Sequence, residues 1–229
     1  MHRRGFMKAT LLTLPLSATR AHAAPPPVVL ELFTSQGCSS CPPADALLGE
    51  LVRRSNVIGL AWHVDYWNSL GWHDPYARPE WTDRQKSYAK YLGGEVYTPA
   101  LVVNGSVMVV GSDTAAVRRA IDQAASPSLA VSLRRTASGL EAETDTTTTP
   151  VTGMLVTYDP KQETQVKGGE NQGRGLVEYR VVRDVTPLVS LTSRMTLLGV
   201  PNDRGAVLLL QDASRRIVGA AELLPDQGA

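Results

Sequence analysis

Outside the first 23 residues the chain holds two cysteines, Cys38 and Cys41, and two histidines, His63 and His73. Two cysteines scattered at random over this length would fall three apart in only about one case in a hundred, so the C-x-x-C spacing is a signal for dithiol chemistry. A thiolate is the reactive form, and its pKa falls below the free value of ~8.5 where a helix begins, because unpaired first-turn amides and the helix dipole favour negative charge. The residues after Cys41 predict such a helix, with Ala44, Leu47, Leu48 and Leu51 recurring on one face. Cys38 is then expected to be the more exposed, attacking sulfur. Cys41, one turn further in, is expected to resolve a mixed disulfide by closing the Cys38–Cys41 disulfide. Ser39 and Ser40 are candidates for hydrogen bonds at the helix start. Pro42 and Pro43 are tolerated where first-turn amides have no partner.

The elements that must hold this pair follow from periodicity. Pro27 to Phe33 is a short apolar run suited to a buried strand, broken by Thr34-Ser35-Gln36-Gly37. Val57 to Val64 is a second strand candidate, and Pro79 to Leu92 a helix closed by Gly93-Gly94. Tyr97 to Val103 and Ser106 to Val110 flank Asn104-Gly105, the strongest short hairpin signal. Ser112 is positioned to cap a last helix carrying Val117, Ile121 and Ala124 and ended by Pro127. Beyond Pro127 the pattern changes to short strands: 129–135, 140–144, 154–158, 176–183, 195–200, 206–211 and 217–223. Thr144 to Thr149 reads as a loop, and Lys167 to Gly175, with four glycines, as a mobile or ligand-approaching one. The latter has no strand-to-helix context that would suit phosphate binding.

Strand, helix, strand, helix, hairpin and helix, with C-x-x-C opening the first helix, resembles a thioredoxin fold. The stretch from Glu31 to Asp45, ELFTSQGCSSCPPAD, resembles the signature of the secreted, thioredoxin-like family of domain of unknown function 1223. Trp62-His63-Val64-Asp65-Tyr66-Trp67, Gly71-Trp72-x-Asp74-Pro75, Tyr97-Thr98-Pro99-Ala100 and Gly169-Glu170-Asn171-x-Gly173-Arg174 are similar to its later blocks. The resemblance implies an α/β thioredoxin-like domain (β-α-β-α-β-β-α) over 24–127, with an aromatic-rich insertion over 62–92. A smaller β-rich, sandwich-like domain over 128–229 is expected to follow. It implies Cys38 as attacking and Cys41 as resolving cysteine, Pro99 as a cis-proline facing the disulfide, and Thr98 as a backbone partner for an extended substrate. A trans Pro99 opening an edge strand is the alternative. Glu31 lies near the place of a buried catalytic acid and could accept a proton from Cys41; a solvent-facing or ion-paired Glu31 is the other reading. The aromatic usually found just before the nucleophile is replaced by Gly37. The segment from Trp62 to Tyr91 carries all four tryptophans and four of the seven tyrosines, either as core or as a substrate platform.

Residues 1–23 read as an export signal: a basic start, an apolar stretch from Ala9 to Leu16, and Ala21-His22-Ala23 as a cleavage site. The run Arg3-Arg4-Gly5-Phe6-Met7-Lys8 resembles a twin-arginine signal, with an ordinary secretory signal as the alternative. Either leads to an oxidising, periplasmic or secreted location. Of the 23 basic residues four lie in this segment, leaving 19 against 22 acidic ones and no basic patch for nucleic acid. A composition of 43% apolar and 20% charged residues, with no run long enough for a membrane span, predicts a folded mature chain without a membrane span. The expected activity is thiol-disulfide exchange with protein thiols or disulfides of the cell envelope, or with a redox partner protein, with no cofactor and no metal. The competing expectations are a non-catalytic binding module with a structural disulfide, and a copper-handling protein using the same cysteines with one histidine.

Overall fold

Seven residues, Val28–Thr34, form a strand, β1, buried from its second residue to its last. Alternation sends Leu30 and Leu32 to one face and Val29, Glu31 and Phe33 to the other. In this computed structural model the described residues are 26–226 apart from 146, 148, 149, 189, 190 and 198, so the expected export signal lies outside them. After β1 come α1 (Pro42–Leu51), β2 (Val57–His63), a 3-10 turn at Asn68–Leu70, α2 (Pro79–Leu92), β3 (Ala100–Val103), β4 (Val107–Val110) and α3 (Thr114–Asp122). Asp113, rather than the expected Ser112, caps α3, its carboxylate accepting from the Ala116 amide at 2.9 Å. The second half is built of β5 (Val131–Thr136), β6 (Gly139–Thr144), β7 (Thr152–Gln165), β8 (Gly175–Leu188), β9 (Arg194–Leu197), β10 (Gly205–Gln211) and β11 (Ile217–Leu223).

The expected architecture, a thioredoxin-like α/β domain followed by a separate β sandwich, is not what these strands build. They form one mixed eight-stranded sheet in the order β11-β10-β7-β8-β2-β1-β3-β4, with β5-β6-β9 as a second, three-stranded sheet. The join is a parallel pairing of β2 with β8, in register at Ala61 and Val181. The reason is visible in β2 itself. All seven of its residues are buried, and a strand buried on both faces cannot end a sheet with a bare edge of amides and carbonyls. The β7–β8 hairpin supplies the missing neighbour. Its strands are 14 residues each, longer than apolar patterning suggests, because the outer half of β7 (Lys161, Gln162, Glu163, Gln165) is polar and reads as turn.

One face of the large sheet carries a core of Phe33, Trp62, Trp81 and Tyr88 that continues through Val156, Tyr158, Val207 and Leu209. On the opposite face, α1 and α3 cover Leu30, Leu32 and Leu101, and the three-stranded sheet covers Leu155, Leu208 and Leu210. Helix α1 also packs against β8, and Gly49 makes that approach possible. A Cβ at Gly49 would stand 2.3 Å from the Tyr179 ring. Gly49→Ala is therefore expected to destabilise the fold by roughly 1–3 kcal/mol through overpacking, against the gain of about 1 kcal/mol that alanine brings to a helix. Thermal denaturation would show a lower Tm; an unchanged or raised Tm would mean that Tyr179 does not sit on the helix.

Candidate functional site

Cys38 and Cys41 are joined as a disulfide with their Cα atoms 5.5 Å apart. Cys38 lies in the turn after β1, its amide bonded to the Ser35 carbonyl at 3.1 Å, and Cys41 is the N-cap residue of α1. The Cys41 carbonyl accepts the amides of Ala44 (2.8 Å) and Asp45 (3.2 Å), which starts the helix after Pro42 and Pro43. No side chain among the described residues caps this end. Ser40 Oγ lies 3.3 Å from Cys38 Sγ, and Ser39 turns away to the β7–β8 loop. Cys38 was expected to be the exposed sulfur, but both cysteines are fully buried. Sequence more than 130 residues away is bonded to this turn: Asn171 donates to the carbonyls of Gln36 and Cys38, and Glu170 accepts from Ser39.

Behind the disulfide, on the α1 side of the sheet, lies a buried cluster of charge. Asp45 stands on α1 one turn after Cys41, His63 ends β2, Asp74 comes from the loop before α2, and Glu178 from β8; all four are at most 4% exposed. Asp74 Oδ2 is 2.7 Å from His63 Nδ1 and also accepts the Gln36 amide at 2.9 Å. Glu178 Oε2 accepts from Gln36 Nε2 at 2.7 Å, and Gln36 Oε1 accepts from the Trp72 indole at 3.0 Å. His63 Nε2 and Glu178 Oε1 face each other at 3.8 Å, neither with a hydrogen-bond partner among the described residues.

Burial and neighbouring charge divide the protons among these groups. Burial, reinforced by Glu178, pushes the Asp45 carboxyl up to about 7. Burial opposes charge on His63, but Asp74 and Glu178 outweigh it and raise the imidazole to about 9. Burial would raise Asp74 as well, yet His63 and the amides of Gln36 and Tyr76 hold it below the usual carboxylate range. Burial pushes the Glu178 carboxyl up, with His63 and Gln36 pulling the other way. Near neutral pH the cluster therefore holds an imidazolium–carboxylate pair beside a carboxyl poised between its two forms.

Glu31 is elsewhere. Its side chain points to the opposite face of the sheet, where Arg84 of α2 grips it through Nε (2.6 Å) and Nη2 (3.0 Å) and the Tyr88 hydroxyl also donates to it. Arg84 reaches on to Gln211 at 3.1 Å and lies over the Trp62 ring. This is the ion-paired reading of Glu31, and the buried acid one helical turn after Cys41 is Asp45. An acidic residue four positions after the second cysteine was the available signal for it. Thr98-Pro99 is a cis peptide. Pro99 and Ala44 both border Gly111, where an added Cβ would meet them at 3.4 and 3.2 Å, so Pro99 lies beside the start of α1. The Thr98 hydroxyl accepts from the Trp67 indole at 2.8 Å, and the Cβ of Trp67 would be 3.0 Å from a Cβ at Gly37. An aromatic thus stands beside the cysteine turn after all, delivered from the loop after β2. Within the aromatic segment Trp62, Trp81 and Tyr88 are core, while Tyr66 and Tyr91 are exposed. Among the described residues no group of three or more His, Cys, Asp or Glu is arranged to hold a metal ion. None of the helices among them is long and apolar enough to cross a membrane.

The family described as Protein of unknown function (DUF1223) matches residues 29–209. A protein of Agrobacterium tumefaciens solved by X-ray crystallography is 32% identical, with a TM-score of 0.78 over 90% of this chain and 97% of that one. HBP35 of Porphyromonas gingivalis is 13% identical with a TM-score of 0.59, over 89% of this chain and 76% of that one, a likeness of fold alone. No curated protein matches the chain.

The buried cluster makes stability depend on pH. A carboxyl whose folded pKa is about 7 against 3.8 in water keeps its proton longer when folded, so Asp45 favours the folded state least above pH 7. An imidazole raised from 6.5 to about 9 contributes stability that is full below 6.5 and is lost as pH rises through 9. Urea unfolding across pH should therefore show stability falling between about 4 and 7 in the wild type and a flatter profile there in Asp45→Asn. His63→Gln should instead flatten the 6.5–9 window. Parallel profiles for wild type and Asp45→Asn would contradict this assignment of protons.

Proposed function

The chain belongs to the DUF1223 family, and from that premise we propose that it is an exported thiol-disulfide oxidoreductase acting on proteins of the cell envelope through Cys38 and Cys41. The observation that carries the reading is a C-x-x-C disulfide at the N-terminus of α1 with a buried, near-neutral carboxyl one turn behind it. The export signal read in residues 1–23 supports an envelope location, where such a pair has partners to exchange with.

The exchange runs as follows. A partner thiolate attacks Cys38 Sγ, the S–S bond breaks, and Cys41 leaves as a thiolate at the helix N-terminus, where the dipole favours its charge. Asp45, holding its proton up to about pH 7, is the donor that neutralises it. A second thiolate of the partner then attacks its own sulfur in the mixed disulfide and releases Cys38. Two electrons pass from partner to protein, and the partner gains the disulfide. The reverse direction uses the same atoms, with Asp45 as proton acceptor for Cys41.

Full burial of both cysteines favours a second reading, in which the pair is a structural staple. Its magnitude argues for a minor staple: closing so short a loop removes only roughly 2 kcal/mol of chain entropy from the unfolded state. An insulin-reduction assay and a scrambled-substrate assay separate the readings. Cys38→Ser should abolish both activities, and Cys41→Ser should accumulate a mixed disulfide at Cys38 detectable by intact mass. Asp45→Asn should slow exchange by about 100-fold, the lower range for a positioned proton donor, and remove a pH-rate inflection near 7. Equal activity in wild type and Cys38→Ser would leave the staple as the role of the pair.

A further inference from the structure

The loop that joins β7 and β8, residues 166–174, is a folded strap hydrogen-bonded to the turn that carries Cys38. Its base is closed by the Val166 amide to the Arg174 carbonyl (3.0 Å) and the Gly173 amide to the Val166 carbonyl (2.9 Å). Its inner side chain, Asn171, is fully buried, and its amide nitrogen donates to the Gln36 and Cys38 carbonyls, both at 2.9 Å. Arg174 fixes the other end of that amide, donating to Asn171 Oδ1 at 2.8 Å. Its outer side chain, Glu170, accepts from the Ser39 amide (3.0 Å) and hydroxyl (2.7 Å), and these exposed bonds hold its carboxyl below the usual range. Gly168 lies so close to the Gly71 carbonyl that a Cβ there would stand 2.1 Å from the oxygen, so the strap also rests on the loop after β2.

We propose that this strap is an autoinhibitory cover, held by Asn171 and Glu170, which must lift before a partner reaches Cys38. The inference rests on the reading of the pair as an exchange site and adds its regulation. The carbonyls of Gln36 and Cys38 belong to the turn that carries the attacked sulfur, and an extended polypeptide segment lying along that turn would offer its own amides to them. Asn171 occupies both acceptors with a side-chain amide of the same chemistry. The admitted partner is therefore an extended segment that replaces Asn171, while a sulfur on a folded surface meets the strap. The two holds differ in kind. Asn171 is buried, whereas the Glu170–Ser39 contact is open to solvent and is the one that yields first.

The test measures the second-order rate at which dithiothreitol reduces the disulfide in the native mature protein, read by thiol release. Asn171→Ala removes two hydrogen bonds from the closed state and is expected to speed reduction by about 10-fold or more; Glu170→Gln, at an exposed site that leaves the core untouched, by about 3-fold. Far-UV circular dichroism and thermal denaturation verify that both remain folded. Should Asn171→Ala fail to fold, Glu170→Gln and Ser39→Ala carry the test alone. Rates within error of wild type in the folded variants would overturn the strap. Insulin turnover, measured on the same samples, keeps the two ideas apart. Faster dithiothreitol reduction with no turnover in any variant upholds the cover and overturns the exchange reading. Turnover in wild type with unchanged dithiothreitol rates does the reverse.

Discussion

The pairing of β8 with β2 is the constraint on which the rest of the molecule depends. β2 is buried along its whole length, on both faces, so it requires a strand on each side, and β1 fills only one. Once β8 takes the other place, its outer half brings Glu178 beneath α1, Tyr179 against Gly49, and the loop beyond it over the cysteine turn. The chemistry of the site is thus set by a sheet junction between the two halves of the chain. Helix α1 supplies the cysteine and Asp45; the junction supplies the charges that surround them.

The buried charges illustrate why such a cluster persists. Removing one ion from water costs several kcal/mol, and a buried pair recovers this only when geometry and further hydrogen bonds are good. Asp74 meets that condition with His63, the Gln36 amide and the Tyr76 amide. Glu178 and Asp45 meet it less well, each with one carboxylate oxygen lacking a partner among the described residues, and burial raises the pKa of both. On the other face of β1 the balance is different. Arg84 satisfies both oxygens of Glu31 and passes on to Gln211, an ion pair with its donors and acceptors used. Two acidic residues close to the cysteines in sequence therefore have different partners, because they lie on opposite faces of the large sheet.

Local signals were legible where local physics decides. The apolar run of β1, the helix after Cys41, the hairpin at Asn104-Gly105 and the strand at 206–211 all stand close to where periodicity puts them. The association of the halves was not legible, since nothing local in 175–188 says that it will lie parallel to a strand more than a hundred residues earlier. The length of β7 was hidden for a related reason: its outer half is polar because solvent covers one side of it. At the site, the C-x-x-C pair could be read and its burial could not, because burial depends on what the fold packs around the turn, including the distant Asn171 bonded to its carbonyls. Glu31 was assigned by spacing from Cys38, but spacing along a strand gives no face unless the register of the helices packed on it is known. His63 and Asp74 stood in the sequence as members of an aromatic segment, and only the fold shows them hydrogen-bonded.

Arg84 has one more consequence. Its guanidinium joins Glu31 of the first strand to Gln211 of the tenth, while Asn104, in the β3–β4 turn, accepts the Ile217 amide at its carbonyl at 2.9 Å. These ties run through the interior and join residues on the two sides of Pro127. A fragment stopping there would carry a bare β2 edge and a buried guanidinium stripped of a partner. The molecule is better regarded as a single cooperative unit, in which the C-terminal strands and the first half melt together.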